Sequence, residues 1–216
     1  MIEAVKPKRK YASRHRAGQA AETREAVIAA AKQQFIAMGW QGTTIAGVAR
    51  AAGVSTETIY AVFGNKQALL RTVLERAVRR AEPTIPLLEQ AGPLAIAAAS
   101  DQRAQIALFA EDITSVLGNV AVLMAVVRTA AATDTELAAL YRGLHDGRRR
   151  NLVFVAKALL DKGPLRDGMD AETATALLWR LASPELFLLM TDIEGLQAAS
   201  YAEWLTDALV DALLPS

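Results

Sequence analysis

Thr43-Thr44-Ile45-Ala46-Gly47-Val48-Ala49-Arg50-Ala51-Ala52-Gly53-Val54-Ser55-Thr56-Glu57-Thr58-Ile59-Tyr60-Ala61-Val62-Phe63-Gly64-Asn65-Lys66-Gln67-Ala68-Leu69 carries two short helical patterns joined at a glycine. Thr43 or Thr44 is placed to cap the first, which turns Ile45, Val48 and Ala49 inward. Gly53 can take the positive φ that the break at 52–54 demands. Ser55 caps the second helix, whose apolar residues Ile59 and Val62 lead into Phe63. Gly64 ends that helix and Asn65 caps a longer one. Two helices of about two turns, joined by a three- or four-residue turn containing glycine, form a helix-turn-helix. Such a pair is also a common structural corner of all-helical proteins. Its surroundings favour DNA: the second helix can enter a major groove about 12 Å wide, and here it offers small polar residues.

Charge is distributed unevenly around this segment. Residues 1–80 hold 14 Lys/Arg against 5 Asp/Glu, and residues 81–216 hold 10 against 18, within a formal net of +1. A basic head on an acidic body fits a nucleic-acid-binding domain joined to a non-binding one. Residues 1–20 (Lys6, Lys8, Arg9, Lys10, Arg14, His15 and Arg16, with Pro7 and Gly18) show no apolar period and read as a flexible basic arm. That arm either reaches into a minor groove or adds only salt-sensitive affinity. From Thr23, a candidate cap, Val27, Ile28, Ala31, Phe35 and Met38 form one helical face, which Gly39 closes. The helix that Asn65 caps carries Leu69, Leu70, Val73, Leu74 and Val78 and runs to about 82, with Pro83 and Pro86 as stops. The domains therefore divide as 1–20, 21–80 and 81–216. The body reads as helices over 101–116, 119–132, 135–161, a segment from 170 kinked or restarted at Ser183-Pro184-Glu185, and 201–214.

Composition sets the outer limits. The 216 residues include 44 alanines, 52% are hydrophobic and no stretch alternates like a strand, so the fold class is all-α with about nine helices. There is no cysteine, which removes disulfides, thiolate metal sites and cysteine nucleophiles and fits a cytoplasmic location. The apolar stretch 117–127 contains Gly118 and Asn119 and is closed by Arg128, short of the roughly 20 residues a membrane span needs. The amino terminus lacks a signal-peptide core. With two histidines, no Glu-x-x-His pair, no glycine-rich phosphate loop and no Gly-x-Ser-x-Gly, an enzyme is disfavoured and no cofactor or metal is expected. A helical adaptor that binds proteins through the acidic body is the competing class; steep salt dependence of heparin retention would separate the two.

The quoted run resembles the signature of the TetR family of transcriptional regulators: the paired threonines, the Ala-Gly-Val-Ser turn, the Ile-Tyr pair, the Phe and the Asn-Lys stand in the same order and spacing. The resemblance is strong over about 20–80; the body matches only in helix count and in loose Ser183-Pro184-Glu185 and Trp204-Leu205 patterns. It implies a homodimer whose heads each read half of a palindromic operator in double-stranded DNA, as a repressor or an activator. It also implies that Thr44, Tyr60 and Lys66 hold phosphates while Thr56, Glu57, Thr58 and Ala61 face bases; Ser55 and Arg50 complete the DNA-binding set. Glu57 stands where the family often has glycine, and Ala61 where it often has a second aromatic or His. Glu57 accepts from a cytosine amino group, pairs with Arg50, or faces solvent.

The resemblance further implies that the body binds an unknown small-molecule effector and dimerises through its last two helices. Candidate pocket residues are Phe109, Leu123, Met124, Val127, Tyr141, Leu144, Phe154, Trp179 and Met190, with Arg128, His145 and Arg148 as polar interruptions. Large residues of this kind are more often plain core. An inward arginine without a protein carboxylate would call for an anionic ligand; Asp112 or Glu111 as partner would make it structural. The dimer candidates are Leu186, Phe187, Met190, Trp204, Leu205 and Leu209, which either face a second copy or fill the body's own core.

Overall fold

The computed structural model describes residues 8–80 and 84–215, with residues 8–17 as backbone only. Ten α-helices are present among the described residues, and no strand. By contacts the chain divides into two units, 1–73 and 74–216.

In the first unit, α1 (Lys8–Gly42) is broken near its end by Gly39, at φ 63 and ψ −170. The helix begins well before Thr23, so residues 8–20 are helical rather than a flexible arm, and Thr23 lies mid-helix and caps nothing. The rest of the expected arm lies outside the described residues. At the break, Thr43 Oγ1 donates to the Gly39 carbonyl at 2.8 Å. Thr44 is the residue that caps α2 (Ile45–Ala52), accepting from the Gly47 amide at 3.0 Å. Gly53, at φ 68, ends α2, and its amide reaches the Ala49 and Arg50 carbonyls. Ser55 caps α3 (Thr56–Phe63), and the Asn65 carboxamide accepts from the Ala68 amide at 2.7 Å as α4 (Lys66–Arg79) begins. Val27, Ala31, Phe35, Val48, Ile59, Leu69 and Leu70 are buried and form this unit's core. Met38 and Val62, expected to face inward, are exposed.

Helix α4 carries the chain out of the first unit and ends at Arg79, with Arg80 in the left-handed region at φ 52. The helix therefore stops short of the expected end at about 82, and Pro83, the expected stop, lies outside the described residues. In the second unit, a 3₁₀ turn (Leu87–Glu89) leads into α5 (Ala91–Ala98), which the sequence reading did not foresee. Asp101 caps α6 (Gln102–Ala131), one continuous helix where two were expected. Gly118 is exposed within it, and Asn119 donates to the Ser115 carbonyl at 2.9 Å, so both are accommodated without a break. By length and composition α6 could cross a membrane, yet half of its most apolar window is buried, where it packs on α5, α7, α9 and α10.

Asp134 caps α7 (Thr135–Lys162) and Asp170 caps α8 (Ala171–Leu181). The helix restarts at Ser183, whose hydroxyl caps α9 (Pro184–Leu188) with Pro184 at its first position; a π-helical turn (Leu189–Ile193) follows. The last helix, α10 (Ala198–Leu213), starts three residues earlier than the apolar stripe suggests. Ile106, Phe109, Leu117, Leu159, Leu178, Tyr201, Leu205 and Leu209 lie in the unit's core.

Candidate functional site

Helix α3 is amphipathic in a way that leaves one face bare. Ile59 and Phe63 are buried, Glu57 and Ala61 are exposed, Tyr60 is 55% exposed, and Thr56 and Thr58 are half-buried. The Ser55 hydroxyl accepts from the Thr58 amide at 3.2 Å and shares a hydrogen bond with Thr58 Oγ1 at 3.1 Å. Hydrogen bonds from its own amide, Ser55 and Thr56 hold the Glu57 carboxyl below its ordinary range. This carboxylate complements the positive end of α3. Thr44 and Arg50 are exposed on or beside α2. The cap occupies a lone pair of the Thr44 hydroxyl and leaves its proton free to donate to an anion.

Lys66 sits differently from expectation. Its ammonium donates to the Trp40 carbonyl and lies 4.2 Å from the centre of the Trp40 ring, and desolvation lowers its pKa. The charge is directed to Trp40, near the end of α1, rather than held out beside the α4 amides. A residue the sequence reading passed over, Arg24, lies with its guanidinium 4.8 Å above the Phe63 ring. Both pairings link residues far apart in sequence, which local spacing cannot reveal.

In the body, Phe109, Leu123, Met124 and Val127 are buried, Leu144 and Phe154 are half-buried, and Arg128 is exposed rather than turned inward. Tyr141, His145, Arg148 and Trp179 come together, and Glu185 joins them. Tyr141 donates to Glu185 at 2.6 Å, and the His145 ring packs edge-on against Tyr141 at 4.6 Å and Trp179 at 5.6 Å. Arg148 shares a 3.3 Å contact with His145 Nδ1, and its Nη2 donates to the Trp179 carbonyl and to the Ala182 carbonyl at 3.2 Å. Neither Asp112 nor Glu111 is its partner; Asp112 pairs with Arg80 at 2.6 Å. Burial pulls the Arg148 pKa down to about 10 and pushes the Tyr141 hydroxyl up to about 12.

Glu185 is the member that the sequence reading saw only as part of a helix start. His145 beside it and the Tyr141 hydrogen bond bring its carboxyl down to about 2 from an ordinary 4.5. A carboxyl lowered on folding stabilises the chain above its ordinary pKa, and that contribution disappears as pH falls from about 5 towards 2. Because the group is half-exposed, the expected contribution is about 1 kcal/mol after solvent screening. Glu185→Gln should therefore cost more stability in urea unfolding at pH 6 than at pH 3, with the difference growing towards pH 2. An equal cost at both values would refute this assignment.

Of the expected dimer residues, Phe187, Met190, Leu205 and Leu209 are buried within the chain's own core, whereas Leu186 and Trp204 are half-buried. The apolar stripe of α10 is wide because it fills this core, not because all of it is bare. The exposed apolar surface nearby is supplied instead by Leu189 and by Ile193, at 75% exposure, on the π-helical turn.

A short capped helix with a polar exposed face, set after a glycine turn, makes the first unit a helix-turn-helix DNA-binding fold. Residues 27–73 match the sequence model described as "Bacterial regulatory proteins, tetR family". The head matches that family's model over these residues, and the whole chain shares its fold with solved transcriptional regulators. FadR from Bacillus subtilis in complex with stearoyl-CoA is 17% identical, with 86% of this chain and 97% of that one covered at a TM-score of 0.69. A transcriptional regulator from Saccharomonospora viridis in complex with choline is 17% identical, covering 91% and 100% at 0.67. NalD, the secondary repressor of the MexAB-OprM efflux pump in Pseudomonas aeruginosa, is 22% identical, covering 92% and 98% at 0.66. None of the curated proteins matches the chain significantly.

Proposed function

We propose that the protein is a ligand-responsive repressor that binds a palindromic operator as a homodimer. The exposed polar face of α3 supports this reading most directly: Thr56, Glu57, Thr58 and Ala61 meet base edges, while Thr44, Tyr60 and the basic residues around them hold phosphates. Two copies paired through the α9–α10 region, with Leu186, Leu189, Ile193 and Trp204 at the seam, present two α3 helices. Successive major-groove entries on one DNA face lie about 34–36 Å apart. Helix α4 carries the chain between the two units, so an effector held in the body and preferring another α3 spacing weakens operator binding by no more than its differential affinity for the two states. The solved relatives with choline and with stearoyl-CoA lend weight to a small-molecule effector.

Selection of bound sequences from random duplex DNA tests the reading. A palindrome with half-sites one helical turn apart is the expected result; enrichment of no sequence would overturn specific DNA binding. On the selected site, Tyr60→Ala should weaken binding by about 1 kcal/mol whatever the half-site sequence, as loss of a phosphate contact does. A Tyr60→Ala effect confined to one base position would instead make Tyr60 a base reader.

A further inference from the structure

Five buried side-chain polar atoms lack a hydrogen-bond partner among the described residues, and three of them fall in one place: His145 Nε2, Arg148 Nε and Trp179 Nε1. The other two, Gln34 Oε1 and Gln105 Oε1, are isolated acceptors. An indole N–H and an arginine Nε–H can only donate. A buried donor left unmade keeps its full desolvation penalty, so two in one cluster are not a neutral feature of a core. The guanidinium lies 5.3 Å from the Trp179 ring, and the His145 ring stands between Trp179 and Tyr141.

Among the described residues, no carboxylate is bonded to the charge on Arg148. One arm of its fork is taken by the carbonyls of Trp179 and Ala182 at the end of α8, and these fix the guanidinium in position. Glu185, the acid of the cluster, accepts from Tyr141 and faces His145 Nε2 at 3.6 Å, too long for a hydrogen bond. The cluster thus holds two N–H donors without acceptors, Arg148 Nε and Trp179 Nε1, beside the rings of Tyr141, His145 and Trp179. A planar pair of oxygens suits such donors. A doubly charged phosphate would meet Glu185 at close quarters, so a monoanion fits better.

We infer that the effector is an organic acid, whose carboxylate is received by Arg148 Nε and Trp179 Nε1 while its apolar portion lies along the Tyr141, His145 and Trp179 rings. This rests on the ligand-responsive reading above and specifies the chemistry of its site. Arg148 is the residue that selects charge, and Trp179 the one that reports occupancy.

The test uses the full chain labelled with ¹⁵N, in which Trp40, Trp179 and Trp204 give three indole signals and Trp179→Phe assigns one of them. Benzoate is titrated against benzamide, with sodium chloride matching ionic strength. Benzoate should move the Trp179 indole proton downfield in a saturable way, benzamide should not, and Arg148→Lys should weaken benzoate at least tenfold. Equal responses to acid and amide, no response to either, or parallel movement of all three indoles would each overturn the inference. The acid–amide comparison needs no variant, so it decides the matter even if Arg148→Lys fails to fold. Operator affinity measured with and without benzoate keeps the two readings apart. Saturation of Trp179 without loss of operator binding leaves this site standing and removes gating; absence of operator binding removes the DNA reading alone.

Discussion

Arg148→Met is expected to lower the unfolding free energy by about 2–4 kcal/mol, because it leaves two main-chain carbonyls at the end of α8 without their donor. The break there is set by Ser183-Pro184: serine caps the next helix, and proline has no amide with which to continue the last one. The Trp179 and Ala182 carbonyls lie at this break, and Arg148 reaches across from α7 to donate to both. The Tyr201 hydroxyl adds a weaker 3.4 Å bond to Leu181. Against this stands the cost of burying a cation, visible in an arginine drawn down to about 10. The bonds should outweigh that cost, since the negative end of α8 compensates part of the charge. Methionine of similar length fills the space but restores no donor. Lysine, a point charge without a planar fork, should recover about half. Urea unfolding at pH 7 decides: a methionine variant as stable as the native chain would show that the burial penalty cancels the caps.

What could be read in advance follows from the range of the interactions involved. Thr44, Ser55, Asn65 and Ser183 cap their helices as their local sequence implies, since a cap is settled within about four residues. The glycine turn at Gly53 was readable for the same reason. The unbroken course of α6 was not, because Gly118 and Asn119 are weak breakers that packing on four neighbouring helices overrides. Amphipathic faces gave direction without identity: α10 was seen to bury a stripe, but sequence alone could not say whether its own chain or a second copy received it. Side-chain destinations across long separations were least legible. Lys66 turning to Trp40, and Arg148 to Trp179, both depend on where two helices come to lie.

Gly92→Ala should destabilise the second unit by about 1–3 kcal/mol although it adds a single methyl group. A Cβ at Gly92 would stand 2.1 Å from Asp112 Oδ1 and 2.5 Å from its Cγ, so something must move. Asp112 has little freedom to do so, because Arg80 holds it at 2.6 Å. Arg80 in turn occupies the left-handed region at φ 52, a conformation costing about 1 kcal/mol or more for a residue with a Cβ, and Arg76 donates to its carbonyl. The turn after α4 is thus tied to α6 through a gap that α5 leaves open with a glycine. Alanine either pushes α5 away from α6 or rotates Asp112 off Arg80, and in the second case the strained turn loses its compensation. The two routes differ in a double-mutant cycle. If Asp112 yields, Gly92→Ala should cost less in an Arg80→Ala background, where the ion pair is already gone. Strictly additive losses would instead mean that the added methyl acts on the α5 backbone and that the Arg80–Asp112 pair plays no part in the cost.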